Sequence, residues 1–264
     1  MKPFIALIVL CLSIPSVALA SGKKEISNEI IELSGLKEVA HDIAVYALSE
    51  IETRKESLPE HEFQRLTQII QRTFNEARIY KIIQDYFYAN YDEQLSPLWL
   101  STLKSPLLIK ITHLEIESAK PEAFEHIIEY AKLMRTNPIP PSRIKQVKQL
   151  DQITRVSEVT LESQLSVAKV LLHAINPSLP SNKQMSTSQL QSMIKTLGMQ
   201  ISQSLEEFTT ITNLYTYRTL TNEELEQYLK LYQKSEGQWI INTTYNAVIS
   251  ALRDAQLQFE QSRI

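Results

Sequence analysis

The chain has 264 residues, 43% of them apolar, with 27 basic and 30 acidic side chains, one cysteine and four glycines. That length can bury a real core in one large domain or two small ones, and the mildly acidic balance lacks the basic stripe that nucleic acids or anionic lipid surfaces require. So few glycines leave little material for a backbone phosphate cradle, and neither G-x-x-x-x-G-K nor G-x-G-x-x-G occurs.

In chain order, residues 1–20 read as a Sec-type signal peptide. Lys2 gives a positive start, FIALIVLCL at 4–12 an apolar stretch too short to span a bilayer comfortably, and Ala18-Leu19-Ala20 the small residues a signal peptidase needs. The expected cut falls between Ala20 and Ser21, giving a periplasmic or secreted protein with no integral membrane segment after cleavage. Cys11 follows Leu10, where lipobox chemistry needs a small residue, so a lipid anchor is not expected. Because that cysteine leaves with the leader, the mature chain forms no disulfide and its core alone must hold it. Losing Lys2 leaves 26 basic against 30 acidic residues.

The apolar residues recur at spacings of three and four, which predicts helices throughout. In a first half, 21–137, the expected helices lie near 25–34, 37–56, 60–89, 93–104, 106–117 and 121–135. Gly35 suits a left-handed stop. Ser57-Leu58-Pro59-Glu60 has the form of a capping box, and Phe63, Leu66, Ile69, Ile70, Phe74, Ala77, Ile82 and Phe87 make a continuous core stripe along 60–89. Thr136-Asn137-Pro138-Ile139-Pro140-Pro141 interrupts any helix and marks the boundary between halves. The second half, 142–264, is expected to carry helices near 142–175, 186–218, 222–234 and 236–260. A loop at 176–182 separates the first two, and a capping box from Thr221 to Glu224 starts the third.

The two halves look like copies. LSGLKEVAHD at 33–42 parallels ITRVSEVTLE at 153–162, and TLKSPLLIKI at 102–111 parallels LYQKSEGQWI at 231–240, each an apolar helix end, Lys-Ser, then a new apolar run. Ser105 can cap a helix whose first turn holds Pro106. Ser235, with Gln238 three later, can do the same, and Gly237 would allow a close helix approach. The expected fold is all-α: a multi-helix bundle built from two related helical halves, separate or fused into one domain.

The runs IIELSGLKE at 30–38, LYTYRTLTNEELEQYLKLYQKSEGQW at 214–239 and ALRDA at 251–255 resemble the bacterial envelope family catalogued as domain of unknown function 2059. In that family's most recognisable segment an acidic helix start ends in Glu-Leu, followed by an aromatic pair, Ser-Pro and a glycine. Glu224-Leu225, Leu231-Tyr232 and Gly237 match it, with Lys234-Ser235 in place of Ser-Pro. The first half keeps Ser105-Pro106 but has Thr102-Leu103 for the aromatic pair and Leu108 at the glycine position. The resemblance implies an exported helical protein of no established activity, and supplies no catalytic residues.

The residues themselves offer little chemistry. Glu38 and His41 form one E-x-x-H, but a di-iron bundle needs a second and two further glutamates, and the parallel position offers Glu158 with Leu161 in place of histidine. No HExxH and no G-x-S-x-G occurs, so no metal, cofactor or catalytic set is expected. Glu115 and Glu117 are too ordinary a pair to argue for hydrolysis, and the sequon Asn242-Thr243-Thr244 falls in helical context. One place looks suited to recognition: Tyr215, Tyr217 and Arg218, large side chains with polar tips at a helix end. The competing reading makes those rings internal plugs, as Tyr86 and Tyr88 would be in the first half. The expected function is a non-enzymatic envelope scaffold or protein-binding module. The alternative is a carrier of an apolar small molecule or lipid between the halves.

Overall fold

Short stop signals divide the chain into helices, and their positions decide which faces meet. The computed structural model of the protein describes residues 16–120 and 122–261, and among these no strand occurs. The expected leader, with its cut between Ala20 and Ser21, lies outside the residues whose side chains are described. The first half holds α1 (Ser16–Leu33), α2 (Leu36–Glu52), α3 (Glu60–Thr73), α4 (Glu76–Ala89), α5 (Leu95–Leu103), α6 (Pro106–Ala119) and α7 (Ala123–Leu133). The second holds α8 (Pro141–Thr154), α9 (Val156–Ile175), α10 (Thr187–Thr216), α11 (Asn222–Gln233) and α12 (Ser235–Gln261). The all-α bundle is as expected, and no helix among the described residues is long and apolar enough to cross a membrane.

Several local signals act as their chemistry dictates. Ser105 accepts the Leu108 N–H at 3.4 Å while Pro106 opens α6. Thr221 and Glu224 close a reciprocal box at 3.1 and 2.9 Å to start α11. Gly35 is the single left-handed residue between α1 and α2, at φ 65° and ψ 26°. Others correct the reading. The expected helix at 60–89 breaks at Asn75, whose side chain caps α4 by accepting the Arg78 N–H at 3.0 Å. Ser57 forms no box: its hydroxyl donates to the Arg54 carbonyl, and α3 starts after Pro59. The expected helix from 142 breaks at Arg155, which takes the left-handed conformation (φ 60°, ψ 26°) at the position parallel to Gly35.

A side chain in that conformation costs about 1–2 kcal/mol, so something must hold Arg155 there. Its guanidinium is bidentate on Glu158 (both 2.7 Å) and lies 3.3 Å from the Tyr245 ring centroid, and the Tyr245 hydroxyl donates to the same carboxylate at 2.8 Å. The carboxylate of Asp151 adds a bond from the Ser157 N–H at 2.9 Å.

Packing forms within each half, then crosses over. α1 lies against α4 and α5 as α8 lies against α10 and α11, and α2 backs onto α3 and α4 as α9 backs onto α10. The helices that follow the two Lys-Ser corners also reach into the other half: α6 packs on α10 and α11 as well as on α5 and α7, while α12 inserts among α3, α4 and α5 and keeps α9 and α11 beside it. The halves therefore share one core. Ile83 and Phe87 of α4, Val167 and Leu171 of α9, and Val248 and Leu252 of α12 belong to a single buried cluster. Each such side chain stabilises by about 1.5–3 kcal/mol, whereas the bidentate Arg78–Asp254 pair (2.6 and 2.9 Å) on the rim of the α4–α12 seam is partly exposed and worth at most about 1 kcal/mol. Apolar packing, not the ion pair, holds α12.

The second corner is the tighter one. Lys234 alone separates α11 from α12, and a Cβ on Gly237 would stand 2.2 Å from the Leu231 carbonyl oxygen and 2.6 Å from the Tyr232 Cα. The close approach expected at Gly237 is to the preceding helix. Gln238 does not pair with Ser235; its amide donates instead to the Tyr232 carbonyl at 2.6 Å. Because the obstruction is backbone, Gly237→Ala should lower the unfolding free energy by about 1–3 kcal/mol or more, whereas Gly22→Ala, a helical position where nothing lies within 4 Å, should cause no loss. Urea denaturation of both variants measures the difference.

Candidate functional site

The most concentrated chemistry lies where α6 meets the second half. Leu108 and Ile111 put one face of α6 into the core, and Glu115 follows one turn later on that face. Its Oε1 accepts the hydroxyl of Tyr217 at 2.7 Å and that of Tyr228 at 3.0 Å, and the Tyr228 and Tyr232 hydroxyls are 3.0 Å apart. Tyr217 ends α10; Tyr228 and Tyr232 are one turn apart on α11. The rings continue as a file, Tyr217 to Tyr228 at 6.1 Å, Tyr228 to Tyr232 at 5.1 Å and Tyr232 to Trp99 of α5 at 5.5 Å between centroids.

Burial pushes the Glu115 carboxyl above its ordinary range, and the two tyrosine hydrogen bonds only partly oppose it. The three hydroxyls are pushed upward by burial and by that carboxylate, so they stay neutral donors. Arg143 of α8 fixes the turn that presents Tyr217. Buried itself, it donates to the carbonyls of Tyr217 (2.5 Å), Leu220 (3.0 Å) and Thr221 (3.3 Å) and to Asn222 Oδ1 (3.2 Å). With every tyrosine neutral and the converging donors spent on one oxygen, the arrangement works as a hydrogen-bonded strut across the halves.

The expected recognition cluster is divided. Tyr217 is buried in the strut. Tyr215 is buried against Ala123 and Ile127 of α7, with its ring edge-on to Tyr130 at 5.7 Å. Only Arg218 is exposed, and its guanidinium stacks 3.9 Å over the Tyr215 ring while donating to the Tyr215 carbonyl at 2.7 Å. Tyr86 and Tyr88 sit on α4, where the Tyr88 hydroxyl donates to Asn28 Oδ1. His41 turns away from Glu38 to pair with Glu76 at 2.8 Å, which raises its pKa, and no group of three or more His, Cys, Asp or Glu residues able to hold a metal occurs among the described residues.

Sequence reading set Glu115 aside with Glu117 as an ordinary pair, and missed Arg143. The signal for Glu115 was present, a carboxylate continuing the apolar stripe of Leu108 and Ile111. Arg143 carries none, because three of its four acceptors are main-chain carbonyls. Compared with protein-family profiles, curated proteins and solved structures, the chain matches none.

The half-buried Glu115 and the buried Glu62 should give the protein opposite pH responses. Glu115 holds its proton more tightly folded than unfolded, so its contribution to stability is full below the unfolded value of 4.5 and is lost as pH rises through the folded value. Glu62, held down to about 2 by Arg65, which also donates to the Ala174 carbonyl at 2.8 Å, contributes above 4.5 and loses its effect as pH falls towards 2. With Arg65 partly exposed, that effect is about 1–3 kcal/mol. In urea midpoints from pH 3 to 8, Glu115→Gln should remove a decline in stability on the alkaline side without loss at neutral pH. Glu62→Gln should lose stability at neutral pH and approach the parent at the acid end.

Proposed function

We propose that the protein is an exported, non-enzymatic helical scaffold that binds a protein partner through α6 and α7, and that its two halves arose by tandem duplication. The observation that carries the binding role is the distribution of exposed apolar side chains. Ile109 and Ile116 on α6 and Phe124, Ile128 and Leu133 on α7 are all more than two-fifths exposed, five on two short helices, whereas most other such residues stand alone. Single exposed apolar residues are ordinary; a concentration of them marks an interaction surface. Ile109 and Ile116 share a face two turns apart, as do Phe124 and Ile128 one turn apart. α7 is held from behind through Ala123, Ile127 and Tyr130, which pack against Tyr215 and Ile211 of α10.

The duplication rests on the matching left-handed links at Gly35 and Arg155, the equal span of α3 with α4 and of α10, and the two exchanged corner helices. Export, and membership of the envelope family the sequence resembles, rest on the leader and on the segments around Gly35 and Gly237. The carrier reading stands second because it needs space between the halves, and the α4–α12 seam is filled by Ala247, Val248, Ala251 and Leu252 packed against Ile83 and Phe87.

A photo-crosslinking residue at Phe124 tests the partner role in the native envelope. The expected result is one dominant heteromeric adduct on protein beginning at Ser21, absent from the same probe at Leu257, which is exposed on α12. Ile128→Asp should abolish the adduct while shifting Tm by less than about 3 °C, since the side chain is exposed. No adduct at Phe124, or one that survives Ile128→Asp, counts against the reading.

A further inference from the structure

The bend from α4 into α5 lies against the start of α12, and together they enclose a surface groove of about 350 Å³ separate from both the tyrosine strut and the α6–α7 face. Tyr86 and Asn90 form one wall. Trp239, Asn242, Thr243 and Asn246 form the other, on one face of α12 because their spacing follows the helical turn. Trp239 is fixed in place: its ring meets Phe87 edge-on at 6.4 Å and 82°, and its indole N–H donates to the Asn90 carbonyl at 3.3 Å. An aromatic plate is thus set before any ligand arrives. The side chains of Asn242, Thr243 and Asn246 show no hydrogen bond to a described residue, and Thr243 lines the groove although only 5% exposed.

Charge is nearly absent from the lining. Asp92 is its one carboxylate, with Oδ1 accepting the Gln94 and Leu95 N–H groups at 2.8 Å each to start α5. Lys23, above the ring of Tyr91 at the groove's edge, is paired with Glu93 at 2.8 Å. A phosphate or carboxylate ligand would find no Arg or Lys fork in the lining, and an apolar ligand would cover amides without satisfying them.

A pyranose fits both demands. Its C–H face packs on an aromatic ring, and its hydroxyls, each donor and acceptor, match amides that carry both functions. We propose that this groove binds a neutral pyranose oligosaccharide, with one ring against Trp239 and its hydroxyls held by Asn90, Asn242 and Asn246. The volume lies near the lower end for ligand pockets, about 300–1,000 Å³, which suits one or two rings. The inference is independent of the scaffold reading.

The test is a fluorescence titration of the full chain with cellotriose, maltotriose and triacetylchitotriose in turn. The protein has two tryptophans, and Trp99 is 2% exposed, so a saccharide-dependent change reports Trp239. At least one probe should give a saturable shift with a Kd of about 1 mM or tighter. The variant carrying Asn242→Ala and Asn246→Ala, both exposed side chains, should bind at least about tenfold more weakly with an unchanged Tm. No saturable shift with any probe up to about 20 mM, or equal affinity in the variant, overturns the proposal.

Discussion

The crossing of α12 into the first half depends on a reversal made within one residue. At Lys234 the chain leaves α11 and starts α12 at once, and the backbone of 231–232 then lies where any side chain on residue 237 would stand. Tyr232 sits at this corner and touches in two directions, its ring on Trp99 of α5 and its hydroxyl on Tyr228. The corner that launches α12 therefore also anchors the aromatic file that ties α11 to α5 and, through Glu115, to α6. A shift at Gly237 would be felt on both sides of the molecule.

Exchange of α6 and α12 changes what kind of object the chain is. Two bundles joined by a proline-rich loop could open independently; two bundles that each complete the other's core cannot. The main cluster draws on residues from Ile30 to Phe259, so its closure waits on contacts distant in sequence, which raises the entropic barrier to folding. No disulfide shortens that search in a chain whose one cysteine lies at position 11. The polar strut at Glu115 contributes specificity more than stability: a carboxyl half-withdrawn from water accepts two hydroxyls that only the correct meeting of α6, α10 and α11 brings together.

How much of this was legible follows from where each signal resides. Helix ends written in side-chain chemistry were readable: the Gly35 stop, the Ser105-Pro106 start, the Thr221–Glu224 box, the bare Gly237. The break at Asn75 was hidden because Ala77 and Ile82 read as carrying the stripe on from Phe74; Ala77 is exposed, and the buried face resumes in a shifted register at Ile79, Ile83 and Phe87. The break at Arg155 was hidden more deeply. Arginine has no preference for a left-handed backbone, and part of what holds it there, the Tyr245 ring, lies 90 residues later. The crossover lies beyond any periodicity argument, since an apolar stripe tells which face of a helix is buried and is silent about what covers it. The recognition cluster was located correctly as a helix end, but a helix end inside the fold turns its tyrosines inward.

On the proposed duplication, the strut and the groove occupy equivalent ground. Each lies where an exchanged helix meets the link between a long helical frame and its corner unit: α6 against 217–222, α12 against 90–94. In one copy the space is closed by Tyr217, Tyr228 and Glu115, with Arg143 tying down the link from behind. In the other, Tyr86, Trp239 and three asparagines line it and leave it open. Packing tolerates either solution, because the core beneath is supplied by α4 and α12 in one case and by α8 and α11 in the other. The copy whose junction is filled is held rigid there, and the copy whose junction stays open keeps polar groups facing water at the rim of a solid core. A symmetric origin with one junction sealed would confine ligand chemistry to a single side of the molecule. The exposed apolar residues of α7, a helix with no counterpart among the described residues of the second half, lie beside the sealed junction through the Tyr215 ring.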